Sequence, residues 1–139
     1  MSSRGPRIII EGAERLPSDI DAGRFARAAQ TVGRWLGLRG DVTLTVSGRR
    51  SGRMGEATAD DDDGQQVVLY VKGIRAMADH EEHRTLTWEY ATTLVHELVH
   101  LSQERRRCAD LPWRIGEAEA YALEGVYGPE AERILRGGD

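Results

Sequence analysis

Hydrophobic and polar positions along this chain follow two periods, one suited to strands and one to helices. Ile8, Ile9 and Ile10 between Arg7 and Glu11 predict a short strand. Phe25, Ala28, Ala29, Val32, Trp35 and Leu36 recur every three or four residues, the period of an amphipathic helix. Asp19 or Asp21 can cap that helix, and Gly37 and Gly40 end it. Residues 41–47 alternate with period two and predict a strand, 49–52 a turn, and 54–59 a second strand. After an acidic turn at 60–64, residues 65–71 carry the strongest strand pattern of the chain. A long helix then starts at Thr85 or Thr87 and runs to about Arg107, and a loop holding Pro112 follows. A helix from about Ile115 to Val126 and a short helix from Pro129 complete the chain. Strand, helix, three-stranded and mostly antiparallel meander, then two helices predict an α+β domain with its sheet packed on the helices.

The 139 residues suffice for one domain with a single core, so residues 1–139 are expected to form one unit. A net charge of −4 argues against a general nucleic-acid surface, although Arg49, Arg50 and Arg53 make a local basic patch. No apolar run approaches the ~20 residues of a membrane span, and Ile8–Ile10 is too short for a signal-peptide core. Cys108 stands alone, which permits no internal disulfide and suits a reducing cytoplasm. The expectation is a cytoplasmic protein without a membrane partner.

Candidate chemistry concentrates in the long helix, where His96, Glu97, Leu98, Val99 and His100 spell H-E-x-x-H. Side chains four apart lie on one helix face, so both imidazoles can grip one metal ion while Glu97 reaches the same side. A shuffled chain of this composition contains the pattern roughly once in a hundred, so chance is a weak explanation. The plain alternative is a pair of surface histidines beside a solvated glutamate. Ala91, Leu94, Val95, Leu98, Val99 and Leu101 count against it, because they give the helix a wide apolar stripe.

A catalytic zinc site needs three protein ligands and an open position. Gln103 and Arg106 stand where a metzincin would place its glycine and third histidine, and Arg106 also breaks the three-histidine pattern of small zinc ribonucleases. No histidine follows His100, so a downstream third ligand must be a carboxylate, and Glu117 and Glu119 are the candidates. They lie about 200° apart around a helix, so only one can face the metal.

Here residues 92–124 resemble the gluzincins, the thermolysin-like zinc metallopeptidases, and more narrowly the small one-domain minigluzincins and the ImmA-like and SprT-like metallopeptidases. The resemblance implies a zincin-like fold, one Zn²⁺ per chain and peptide-bond hydrolysis. It implies that His96, His100 and a glutamate of the next helix hold the zinc, that the metal lowers the pKa of a bound water toward ~7, and that Glu97 is the general base. Glu117, followed by Ala120, Tyr121 and Glu124, resembles the ligand helices of that group. Glu119, with Ala122, Leu123 and Val126 on its face, is the substitute. Tyr121, Tyr127 and Arg114 are candidates to stabilise an oxyanion, each with ordinary packing as the alternative. A peptide or protein substrate would lie along a sheet edge, and the strand at 65–71 resembles the edge strand used for this; a central core strand is the competing assignment.

Weaker candidates remain. His80, Glu81, Glu82 and His83 have metal-site spacing but read more simply as a solvated segment. Asp60, Asp61, Asp62 and Asp63 lack the spaced ligands of a calcium loop and suit a hairpin tip. Trp35, Trp88 and Trp113 read as core or helix-contact residues, and Cys108 beside its arginines as an unreactive thiol. The expected function is zinc-dependent peptide hydrolysis. The alternatives are a non-catalytic, regulatory zinc-stabilised interaction domain and a protease restricted to one cellular protein.

Overall fold

The computed structural model describes residues 5–60, 64–80, 85–106 and 112–138. In chain order these form β1 (Arg7–Glu11), a 3₁₀ turn (Ala13–Arg15), α1 (Ala22–Trp35), β2 (Asp41–Ser47), β3 (Gly55–Asp60), β4 (Gly64–Tyr70), α2 (Val71–His80), α3 (Leu86–Arg105) and α4 (Trp113–Leu135). The class is α+β, as the periodicity predicts.

Local chemistry explains the helix ends. Asp21 caps α1 by accepting from the Arg24 N–H at 3.0 Å, and Thr85 caps α3 by accepting from the Trp88 N–H at 3.1 Å. At the end of α1, Gly37 takes φ +76°, while the Leu38 N–H bonds the Gly33 carbonyl and the Gly37 N–H bonds that of Arg34. This paired closure needs a left-handed residue, which glycine adopts without strain.

The sheet departs from the expected meander. Its order is β1-β2-β4-β3, with β1, β2 and β4 parallel and β3 antiparallel to β4. β2 and β3 are therefore not neighbours, and β3 is the return run that lets β4 lie parallel to β2. Burial gives the reason. Val42, Leu44, Val46, Val67 and Leu69 are fully buried, so β2 and β4 belong inside the sheet, whereas Gly55, Glu56, Ala57, Thr58, Ala59 and Asp60 are small or polar and tolerate an edge. The strand at 65–71 is central, and the sheet edge assigned to it on resemblance belongs to β3.

Two helices also differ. Residues 71–80 form α2, where Val71, Ile74 and Met77 recur every three residues and fully buried Ile74 anchors the helix on the core. A Cβ on Gly73 would come within 2.4 Å of the Arg53 carbonyl, so this glycine lets the segment before β3 lie on α2. The two expected C-terminal helices are one, α4, continuous through Pro129. Gly125, four residues before that proline, presents no side chain to crowd the turn, and buried Ala131, Ile134 and Leu135 hold the following turns against the core.

α3 is the central helix. It packs against α4, β3, α2, β4 and α1, which is why it is buried nearly all round instead of along one stripe. Leu94, Val95, Leu98, Val99 and Leu101 join Phe25, Val32 and the strand residues in one core. Small buried residues on α4, namely Gly116, Ala120, Gly128 and Ala131, bring its backbone close to α3. No helix among the described residues is long and apolar enough to cross a membrane.

Candidate metal centre

The close approach of α3 and α4 assembles the site. His96 and His100, one turn apart on α3, set their rings 4.7 Å apart at 75°. Among the described residues, His96, His100 and Glu117 form a group whose donor atoms converge closely enough to hold a metal ion. His96 Nε2 and His100 Nε2 are 3.1 Å apart; Glu117 brings Oε1 to 2.6 Å from His100 Nε2 and Oε2 to 3.4 Å from His96 Nε2.

The hydrogen bonds on the far side of each ring decide what these atoms offer. His96 Nδ1 lies 2.6 Å from Glu124 Oε2, and His100 Nδ1 lies 2.9 Å from Gln103 Oε1. Both partners are acceptors, so each ring can donate from Nδ1 and leave its Nε2 lone pair for a metal ion held between the rings and Glu117. Two lone pairs and a carboxylate then converge, an arrangement that a cation between them stabilises. Bonds of about 2.0–2.1 Å meeting at the tetrahedral angle set donor atoms roughly 3.3 Å apart, close to two of the three separations. The donor set therefore fits a divalent metal. Burial alone would depress the His96 pKa, but the Glu124 hydrogen bond and the charges of Glu97, Glu124 and Glu117 outweigh it and hold the ring above its ordinary value.

Glu97 is buried beside this cluster. Burial raises its carboxyl above the ordinary glutamate value; His96 and His100 oppose the rise, while Glu117 and Glu56 add to it. The edge strand comes very near. A Cβ on Gly55 would lie 2.9 Å from Glu97 Cγ and 2.9 Å from the Val68 carbonyl.

Glu119, the substitute ligand, points elsewhere. It accepts from Arg106 Nη2 at 2.7 Å and from Gln103 Nε2 at 2.9 Å. The Gln103 bond, then Arg106, lowers its carboxyl pKa, against an opposing effect of burial. Its helix face is not the core face that Ala122 and Val126 suggest, since both of these are exposed.

Above the cluster opens a cleft of about 870 Å³. Arg53, Gly55, Glu56 and Thr58 line one wall, Trp113 and Tyr121 the other, and Met77, Thr92 and Thr93 the back. Tyr121 stands edge-on to His96, 4.9 Å between ring centres, with its hydroxyl pKa raised by burial and by Glu117, Glu124 and Glu97. Of the other two oxyanion candidates, Tyr127 stacks on Trp35 at 5.2 Å and lines a different groove, and Arg114 is exposed and does not line this cleft. Trp113 is exposed rather than packed in the core, and Trp35 is partly so.

His80 ends α2, while Glu81, Glu82 and His83 lie outside the described residues, as do Asp61, Asp62, Asp63 and Cys108. Sequence reasoning passed over Glu124 and Gln103 as partners of the two histidines. The available signals were helical: Glu124 is two turns after Glu117, and Gln103 three residues after His100. Gly55 carried no such signal, because its role exists only where β3 meets α3. No protein-family model matches the chain, and a search of curated proteins likewise finds no match.

Proposed function

We propose that this chain is a zinc-dependent peptidase. The observation that carries the reading is the convergence of His96 Nε2, His100 Nε2 and the Glu117 carboxylate at the floor of an open cleft, with buried Glu97 beside them. His96, His100 and Glu117 would hold the metal, and two imidazoles with one carboxylate suit zinc better than Mg²⁺ or Ca²⁺. Zinc bound there supplies a polarised scissile carbonyl and a water acidic enough to ionise near neutral pH.

The remaining work falls to the chain's own groups. Glu97 accepts the proton of the attacking water and returns it to the leaving amine; its raised pKa makes it a stronger base than an exposed glutamate. Tyr121, over His96 at the cleft wall, is placed to donate to a developing oxyanion. Among the described residues β3 pairs on one side only, with β4, and its residues line the cleft. An extended peptide adding to that edge gains backbone hydrogen bonds and passes over the cluster without demanding a particular sequence. The substrate is thus a peptide or an extended protein segment, and the reaction is suited to a cytoplasmic setting.

Elemental analysis of chain purified without added metal should show about one equivalent of zinc, and iron in its place would redirect the reading to oxygen chemistry. Glu97→Gln should retain the zinc and the fold while lowering hydrolysis of a peptide library by roughly 10²–10⁴-fold. Hydrolysis at the parental rate would remove Glu97 as the base. A zinc-loaded parent that cleaves no peptide would favour an interaction domain instead.

A further inference from the structure

We propose that β1 is a docking edge for a second copy of this chain, paired antiparallel about Ile9 so that two sheets become one. The inference rests on the sheet and its charges and is independent of the metal and peptidase readings.

β1 and β3 are the two edges of the sheet, and β1 contributes nothing to the cleft. Among the described residues β1 pairs on one side only, in parallel with β2. The Arg7 N–H reaches the Gly40 carbonyl at 2.8 Å, with Arg7 in register with Asp41. Alternate residues of a parallel ladder face the partner, so Arg7, Ile9 and Glu11 direct their backbone groups at β2. The N–H and C=O groups of Ile8 and Ile10 then point outward from the sheet edge. Side chains divide between the two faces. Ile8 and Ile10 pack on the core, while Arg7, Ile9 and Glu11 are exposed on the open face. Ile9 lies there in register with Thr43, an exposed isoleucine beside a polar strand.

This edge is complementary to itself. Laid antiparallel about Ile9, it sets Ile8 opposite Ile10 of the second copy, and Ile10 opposite Ile8. Each pair can exchange two backbone hydrogen bonds, because all four residues offer outward groups. Ile9 meets its own counterpart on the two-fold axis, in a pair without backbone bonds, where side chains come closest. Arg7 and Glu11 meet Glu11 and Arg7 of the second copy, so both ends of the ladder carry an opposite-charge pair. A shift by one residue breaks the backbone bonds, a shift by two separates the charges, and a parallel arrangement would align like charges.

Arg7 is ready for this contact. It donates from Nε and Nη2 to Asp41 at 3.1 and 2.9 Å, which holds the guanidinium on the open face, and Nη1 takes no partner among the described residues. Five residues a side are far fewer than the roughly 20–30 of a permanent interface, so the association is reversible and depends on concentration. The contact is isologous and closes as a dimer. Both clefts then lie toward the far edges of the joined sheet and stay open.

Sedimentation equilibrium of the full chain, from micromolar to millimolar concentration, should show monomers passing reversibly into dimers. Arg7→Glu and Glu11→Arg each set like charges against each other at both ends of the ladder, and each should weaken association roughly tenfold. Both side chains are exposed, so the fold is at little risk. An equimolar mixture of the two variants places every acid opposite a base and should regain the association that neither has alone. A parent that stays monomeric at millimolar concentration overturns the proposal, as does a dimer that neither variant weakens. A mixture that associates no better than its components rejects the antiparallel register and the proposal with it.

Discussion

At the scale of single residues, the site is defined by what each side chain has on its far side. Glu117 and Glu119 are two positions apart on one helix, yet one meets both imidazoles and the other meets Arg106 and Gln103. Glu117→Ala should leave the ion two imidazoles and release zinc to a mild chelator, and equilibrium competition measures the loss. Unchanged retention would mean that another group closes the shell. Gly55 makes a different case. A methyl group there collides with Glu97 Cγ and the Val68 carbonyl, so either β3 or the carboxylate must move. Gly55→Ala should cost about 1–3 kcal/mol of stability. It should lower peptide hydrolysis while zinc content holds, as thermal melts, assays and metal analysis would reveal. Full activity with an unchanged melt would show that the contact relaxes freely.

At the scale of elements, α3 and α4 supply the converging His96, His100 and Glu117 side chains, and β3 of the sheet packs on α3 beside them. α4 runs unbroken through Pro129 because buried contacts beyond it outweigh a missing backbone donor. Pro129 is exposed, so replacing it loses little packing. Pro129→Ala should restore the bond to the Gly125 carbonyl and stabilise the chain by about 1–3 kcal/mol, less whatever the proline contributes by stiffening the unfolded chain. Urea unfolding checks the sign: a destabilised variant would mean that the ring makes necessary contacts.

For the molecule as a whole, one buried phenol links stability to pH. Tyr90 is 1% exposed in the core beside Phe25, and burial pushes its hydroxyl from 10.0 up to about 12, Arg75 opposing. The folded chain thus holds this proton more tightly than the unfolded one. The stability so contributed is complete below pH 10 and is lost as pH rises toward about 12. At about 1.4 kcal/mol per pH unit, the loss approaches 3 kcal/mol. Tyr90→Phe should flatten the alkaline limb of a denaturation-versus-pH curve in that window, and an equally steep limb in the variant would assign the effect to other groups.

Much of this was written in local pattern. Period and capping residues determined β1, α1, β2, β4 and α3, because each rests on interactions within a few residues: Asp21 with Arg24, Thr85 with Trp88, Gly37 closing α1. The spacing of His96, Glu97 and His100 placed three functional groups on one helix for the same reason. What the pattern could not reach depended on contacts between distant segments. β3 is an edge because β2 and β4 have the larger apolar residues to bury. The choice between Glu117 and Glu119 turned on the rotation of α4 about its axis, which the sequence leaves open and which packing of Gly116, Ala120 and Gly128 against α3 decides. The acceptors beside the two Nδ1 atoms depend on that same docking, since Glu124 lies on α4 and Gln103 is bonded to Gly116 and Glu119 of α4.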